Sequence, residues 1–302
     1  MSAGLSLSLG LAGCGSTGAP AGGGSTTTTP PTSSAPTGVT TTTGPAAPPS
    51  TQRPAGTTTS TTPAPKTMTV RLYLMRGDKL GASTHRVAAS PAVATAALTE
   101  LLVGPDAVDR AAGLSTTIPA GSRLLGLSIS GGTATVDMSA AFASGGGSLS
   151  MTARLAQVVY TATQFPAVSR VTFLVEGRQA TVFGGEGIVL DHPSTRSDFE
   201  AVTPAILVEA PTPATVAHDP VRVLGTANVF EAAFRARLID SHGRTVVDLP
   251  VRATSGTGTR GTFDVSLHYP AAAVGPATLE VFDLSAKDGS TLELVAIPLV
   301  LR

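Results

Sequence analysis

Charge divides this chain. Of its 20 basic and 20 acidic residues, only Arg53 and Lys66 fall within the first 66 positions. That stretch is almost entirely Gly, Ser, Thr, Pro and Ala, with runs such as Thr26–Pro31 and Thr57–Pro63. Such a segment has too little apolar surface to offset the entropy of ordering, so residues 15–66 are expected to form a disordered tether. As a flexible coil, its roughly fifty residues reach about 40 Å, and further where proline stiffens them. A folded core must come from the remainder, which has room for about two domains. The formal net charge of zero gives no electrostatic pull toward nucleic acid, and that class of partner is excluded. One cysteine rules out an internal disulfide and a multi-thiolate metal site.

That cysteine has a distinctive setting. The apolar, small-residue stretch Leu5–Gly13 runs directly into Cys14. Leu11-Ala12-Gly13-Cys14 resembles the bacterial lipoprotein signal, which implies that Cys14 carries a thioether-linked diacylglycerol and becomes the mature N-terminus. No Lys or Arg precedes Cys14, so a basic segment is expected upstream of Met1. Two acyl chains give stable anchoring where one is marginal. Residues 1–14 are therefore the expected signal, and Cys14 the expected lipidation site.

From Lys66 onward the pattern is that of folded protein. Val70, Leu72 and Leu74 alternate with Arg71 and Tyr73, a half-buried strand. After an expected loop, Ser90-Pro91 suggests a helix start, and Ala94, Leu98, Leu101 and Leu102 form a stripe ending at Gly104-Pro105. Strands 124–130 and 133–138 flank Gly131-Gly132, a tight hairpin signal. Ser148 is expected to cap a second helix, with Met151, Leu155, Val158 and Ala162 inward and Arg154, Gln157 and Thr161 outward. Strands 169–176 and 179–182 meet at Gly177. The order β-α-β-β-α-β-β predicts an α+β domain, two helices on a mixed β-sheet, over 67–190.

These residues carry a family pattern: Arg86-Val87, Leu101-Leu102-x-Gly104-Pro105, Ile118-Pro119-x-Gly121, Val136-Asp137-Met138-Ser139-x-x-Phe142, Gln157-Val158-Val159 and Phe165-Pro166-x-Val168-x-x-Val171. In that order they resemble the sporulation and germination GerMN domain. Residues 191–203 are read as a polar connector. Beyond it, seven short strands, 206–209, 221–225, 229–239, 245–252, 262–268, 277–284 and 291–301, predict an all-β sandwich over 204–302. In the third, Phe230, Ala232, Phe234, Ala236 and Leu238 form the core side, and Glu231, Arg235 and Arg237 the solvent side. The sequence Val221-x-Val223-x-Gly225-x-Ala227-x-x-Phe230-Glu231-Ala232, with Gly261-x-Phe263 and Ser285-Ala-x-Asp288-Gly289, resembles the immunoglobulin-like domain of bacterial spore germination.

No metalloprotease, dithiol, serine-hydrolase or phosphate-loop motif occurs. Gly256-x-Gly258-x-x-Gly261 spells a dinucleotide fingerprint but precedes a strand, where that fingerprint needs a helix N-terminus. Asp283, Ser285 and Asp288-Gly289 superficially resemble a calcium loop, yet Lys287 occupies a ligand position, and a polar hairpin turn is the better reading. Asp137 and Ser139 are expected to cap a short helix before Phe142. Glu231 is expected on a solvated face, within reach of Arg235 or Arg237. His85, His192, His218, His242 and His268 are widely spaced and expected in loops or at strand ends. Catalytic residues, metal sites and cofactors are therefore expected to be absent. The expected function is that of a non-enzymatic lipoprotein at the outer face of the cytoplasmic membrane of a GC-rich Gram-positive bacterium. It would act as an interaction or assembly module with envelope proteins and with further copies of itself. A wall-glycan binding module is the alternative, disfavoured by the absence of Trp and the presence of only three Tyr.

Overall fold

β1 (Thr67–Arg76) and β2 (Lys79–Ala88) form a hairpin turned at Gly77, with all ten residues of each strand paired. The stretch expected as a loop is thus a full strand. Its lysine, serine, threonine and histidine hide the alternation, and pairing to β1 supplies what the pattern lacks. The computed structural model describes Gly44, residues 66–185 and residues 187–302. The expected signal, Cys14 and nearly all of the expected tether lie outside the described residues.

Next come α1 (Val93–Val103), α2 (Ala107–Ala111) and β3 (Leu114–Ser115). Ala92, not Ser90, stands at the α1 N-cap, and Ser90 Oγ instead accepts from Ala92 N–H at 3.1 Å. β4 (Leu124–Ser130) and β5 (Thr133–Met138) form the expected hairpin, with both turn glycines at positive φ. A 3-10 turn (Ala140–Ala143), α3 (Ser148–Ala162), β6 (Arg170–Val175), β7 (Arg178–Gln179), β8 (Val182–Phe183) and β9 (Ile188–Val189) complete the α+β domain. Its strands divide into a β2-β1-β3 sheet, a mixed β4-β5-β6-β7 sheet and the β8-β9 pair, where the pattern implied one mixed sheet. The parallel β5–β6 pair spans α3 as its crossover.

α3 starts one residue earlier than a Ser148 cap requires, with Gly147 at the N-cap. It also has no solvent face along its middle. Arg154, Gln157 and Thr161, expected outward, are all buried. Thr161 Oγ1 accepts from Tyr73 N–H at 3.2 Å, and Gln157 Nε2 donates to Tyr73 O at 3.3 Å. Gln164, just past the helix, likewise brackets both backbone groups of Arg71. These side chains satisfy β1 backbone that its two-residue neighbour β3 cannot reach, so their burial is hydrogen-bonded burial. The Arg154 guanidinium donates to the carbonyls of Thr117, Phe142, Ser144 and Gly145, and burial holds its pKa below the usual range.

The stretch expected as a polar connector is packed structure. A 3-10 segment, Arg196–Val202, buries Phe199 and Val202 in the core of the α+β domain. There follow β10 (Ile206–Ala210), β11 (Thr215–Ala217), β12 (Val221–Ala227), β13 (Ala233–Asp240), β14 (Thr245–Arg252), β15 (Gly261–Leu267), β16 (Gly275–Leu284) and β17 (Thr291–Leu301). They form sheets of order β10-β12-β15 and β11-β17-β16-β13-β14 around a second core. The extra strand is β11, which pairs in parallel with the end of β17.

The two domains are joined through β10. Ile206 and Val208 enter the sandwich core, whereas Leu207, pointing the other way, belongs to the core of the α+β domain. Beside it the Glu209 carboxylate accepts from Arg196 Nη1 at 2.8 Å, from Arg71 Nη1 at 3.4 Å and from the Tyr73 hydroxyl. Arg196 lies over the rings of Tyr73 and Tyr160, 5.1 and 4.6 Å from their centroids. A second bridge runs from Arg260, bidentate to Glu200 at 2.9 Å and bound to Pro204 O at 2.8 Å. Replacing Glu209 by Ala leaves Arg196 and Tyr73 without their partner, a change worth about 3 kcal/mol or about 6–12 °C in Tm. Calorimetry is expected to record this as one shifted transition for both domains. Two separated transitions would show that the clamp does not couple them.

Candidate interaction surface

Val229 to Ala232 form a tight corner ahead of β13, and its backbone decides where Phe230 points. Glu231 and Ala232 both have positive φ, 52° and 55°, as does Thr257 across from them, 51°. Non-glycine residues in this region carry strain of roughly 1–3 kcal/mol each and persist only where surroundings enforce them. The enforcement is visible. Val229 O accepts from Ala232 N–H at 3.2 Å and Thr257 N–H at 2.9 Å, and Thr257 Oγ1 accepts from Glu231 N–H at 3.0 Å. A side chain at Gly256 would sit 2.4 Å from Val229 O, and one at Gly261 would sit 2.3 Å from Ser255 N. Of the dinucleotide-like glycines, Gly256 is thus a packing requirement of this corner, Gly258 takes a positive φ of 94°, and Gly261 packs on Ser255 at the start of β15.

The consequence is that strand alternation breaks between Phe230 and Ala232. Phe230, expected in the core, is 63% exposed, while Ala232 and Phe234 remain buried. Of the twelve aromatic residues it is the one that faces solvent: eight other Phe are buried or partly buried, and Tyr73, Tyr160 and Tyr269 are all buried. Leu284 and Leu292, from the β16–β17 hairpin, stand beside it at 41% and 45% exposure. With Arg235 and Pro250 they line an open cleft of about 580 Å³. On the rim, Glu231, Asp283 and Lys287 enter no ion pair among the described residues. Arg235 and Arg237, the expected partners of Glu231, pair with Asp248 at 2.9 Å and Glu280 at 2.6 Å. An apolar centre with a charged rim is the anatomy of a protein-contact surface.

The other singled-out residues have structural partners. Asp137 Oδ1 accepts from Gly177 N–H at 2.9 Å and Ser139 Oγ from Arg123 N–H at 2.9 Å, so neither side chain caps the 3-10 turn. Glu176 does so instead, accepting from Ala140 N–H at 2.8 Å. Asp288 accepts from Ser290 within the β16–β17 turn, and Ser285 O accepts from Gly289 N–H, a closed hairpin turn. His192 pairs with Asp191 and Asp198, and His268 lies 3.6 Å from Asp219.

His85 departs from expectation. It is buried within β2, with Nδ1 2.8 Å from Glu100 and Nε2 2.7 Å from Asp109. Ser83 Oγ donates to Asp109, and Asp109 and Asp106 close a capping box on α2. His85, Asp106 and Asp109 could in principle hold a cation. Every one of these ligand atoms is already committed, however: both imidazole nitrogens to carboxylates, and both carboxylates to the capping box. Ser83 contacts Asp109 rather than His85, so no hydroxyl is activated as a nucleophile. The Asp109 hydrogen bond, aided by Glu100 and opposed by burial, raises the His85 pKa to about 9. For Asp109, burial pushes upward, but hydrogen bonds from His85 and Ser83 outweigh it and hold the carboxyl low. The cluster is a buried imidazolium staple between β2, α1 and α2.

Residues 71–181 match the family described as sporulation and spore germination, and residues 205–290 match the immunoglobulin-like domain of bacterial spore germination. The chain carries both of these spore germination domains. Neither is a known enzyme family. Among solved structures, the chain is similar to the first GerMN domain of the sporulation protein GerM from Bacillus subtilis. That match has 24% identity and TM-score 0.39, over 43% of this chain and 99% of that one. The tandem GerMN domains of the same protein match at 18% identity and TM-score 0.40, over 68% of this chain and 62% of that one. A putative lipoprotein from Clostridium perfringens matches at 17% identity and TM-score 0.33, over 45% and 93%. No curated protein matches the chain.

The staple sets a pH dependence. Because the folded pKa of His85 lies above its ordinary 6.5, its contribution to stability is full below about pH 6.5 and is lost as pH rises through about 9. Denaturant titrations from pH 6 to 10 are expected to show the native chain losing stability across this window relative to His85→Gln. A constant difference between the two would contradict the assignment.

Proposed function

We propose that this protein is a non-enzymatic, lipid-anchored module at the outer face of the cytoplasmic membrane that docks another envelope protein through the Phe230 surface of its sandwich. The observation that carries this reading is Phe230 itself. A strained corner holds the one solvent-facing aromatic outward, where ordinary alternation would bury it. Stored strain next to an exposed apolar residue is a mark of functional surface. Anchoring rests on the signal-like sequence ending at Cys14. The two clamped domains then act as one rigid body at the end of a tether, which suits assembly better than turnover of a substrate. The buried state of every tyrosine removes the aromatic platform that the glycan alternative requires.

The test uses the full chain in its host. Cys14→Ser is expected to move the protein out of the membrane fraction. A photo-crosslinking amino acid at position 230 is expected to give a discrete protein adduct, and Phe230→Ser is expected to abolish partner co-purification. Because Phe230 is exposed, that variant keeps its stability within about 0.5 kcal/mol. Salt-resistant pelleting with protein-stripped cell wall, unchanged in Phe230→Ser, would replace this reading with glycan binding.

A further inference from the structure

A long edge strand in this molecule lacks the features that close the others. β14 carries Asp248, Pro250 and Arg252; β15 carries Asp264, paired with Arg222; β2 carries Lys79, His85 and Arg86; and β10 spends Glu209 in the clamp. Charge, proline and cover are the usual means by which an edge avoids adding a further strand. β4, at the end of the β4-β5-β6-β7 sheet, reads Leu-Leu-Gly-Leu-Ser-Ile-Ser, with neither charge nor proline. Its irregular pairing is confined to the first residues, between Leu124 and Gly126.

The hairpin register fixes which backbone groups are open. Ser130 pairs with Thr133 across a two-residue turn, so Ser130, Ser128 and Gly126 bond inward to β5. Leu127 and Ile129 turn their N–H and C=O outward. Their side chains border a hollow of about 250 Å³ shared with Val93 and Phe165. Arg123 and Arg170 bracket the strand. Arg123 is exposed, Arg170 binds Thr133 Oγ1 at 2.9 Å and Gly131 O at 3.3 Å, and neither meets a carboxylate among the described residues.

We infer that β4 receives an extended segment of a partner protein that pairs along Leu127 and Ile129, drops apolar side chains into the hollow, and carries a carboxylate at each end. Backbone pairing gives such a complex its affinity, and alternate side chains give it selectivity. The charges disfavour a second copy of this chain in the register that would bury the same residues. Antiparallel pairing about a two-fold axis at Leu127 would set Arg123 of one copy against the Arg170 end of the other. Residues 123 and 131 are separated by about 27 Å of extended chain, which places the partner's carboxylates eight residues apart.

The surface is separate from Phe230, so the two readings fail independently. The experiment adds two nine-residue synthetic peptides to the full chain, both alternating Thr and Val, one ended by Glu and the other by Lys, and follows amide exchange. The Glu-ended peptide, at ten times its Kd, is expected to slow exchange at Leu127 and Ile129 about tenfold. The Lys-ended peptide is expected to bind at least about tenfold more weakly, since like charges meet at both ends. Ile129→Pro removes an outward N–H without touching the β4–β5 bonds and is expected to abolish protection with an unchanged thermal midpoint. Ile129→Lys, which leaves the backbone alone and changes an exposed side chain, is expected to do the same, whereas Phe230→Ser is expected to have no effect. The inference is overturned by equal binding of the two peptides, by no protection at millimolar peptide, by binding that survives both β4 variants, or by self-association of the chain that Ile129→Pro removes.

Discussion

The carboxylate of Glu209 organises this molecule. It leaves the sandwich on β10 and finds its donors in the other domain: Arg71 and Tyr73 on β1, and Arg196 on the segment between domains. A carboxylate in this half-buried place requires compensation, and Arg196, lying over two tyrosine rings, supplies it as a planar cation. Burial, with Glu209 nearby, lifts the Tyr73 pKa to about 12, so its hydroxyl remains a donor at any physiological pH. Burial works against the Arg196 charge, but Tyr73 and Glu209 outweigh it and raise its pKa. The domain matches end at residue 181 and resume at 205, yet Arg196 and Glu200, which connect the domains, lie between them.

The second organising element is α3, a helix buried along its middle whose polar residues serve as backbone partners for a strand. This is where sequence reading is weakest. Apolar periodicity assigns Gln157 and Thr161 to solvent because it has no means of anticipating that β1 lacks a full neighbour on one side, and Arg154 because its four carbonyl partners lie outside the helix, earlier in the sequence. The same blindness hid β2, whose His85 and Ser83 read as loop residues until Asp109 and Glu100 are placed against them. Residues 191–203 read as a polar connector for a related reason: their charges are paired across 13 to 60 positions, with Glu209 and Arg260, and distance in sequence conceals the pairing.

What was legible followed from local chemistry. Gly131-Gly132 specified a hairpin because both positions need positive φ. The alternation from Phe234 to Leu238 placed core and solvent sides of β13 correctly, as Arg235 and Arg237 point outward to Asp248 and Glu280. The family resemblance identified both kinds of domain. The candidate surface was not legible, since alternation extended one residue pair too far and buried Phe230. The available signal was the cluster of glycines at 256, 258 and 261, whose spacing invited a nucleotide reading, but Gly256 serves close approach to Val229 and Ala232, Gly258 a positive φ, and Gly261 close approach to Ser255.

The double allegiance of β10 bears on inheritance. Leu207 and Glu209 face one domain, Ile206 and Val208 the other, along four consecutive residues. A gene encoding the sandwich alone would produce a strand with an apolar side chain and a carboxylate left over, and one encoding only the α+β domain would leave a hole where Leu207 belongs. These two domains can be shuffled as a pair at little cost. Each can be recombined separately only after its side of the seam has been rewritten.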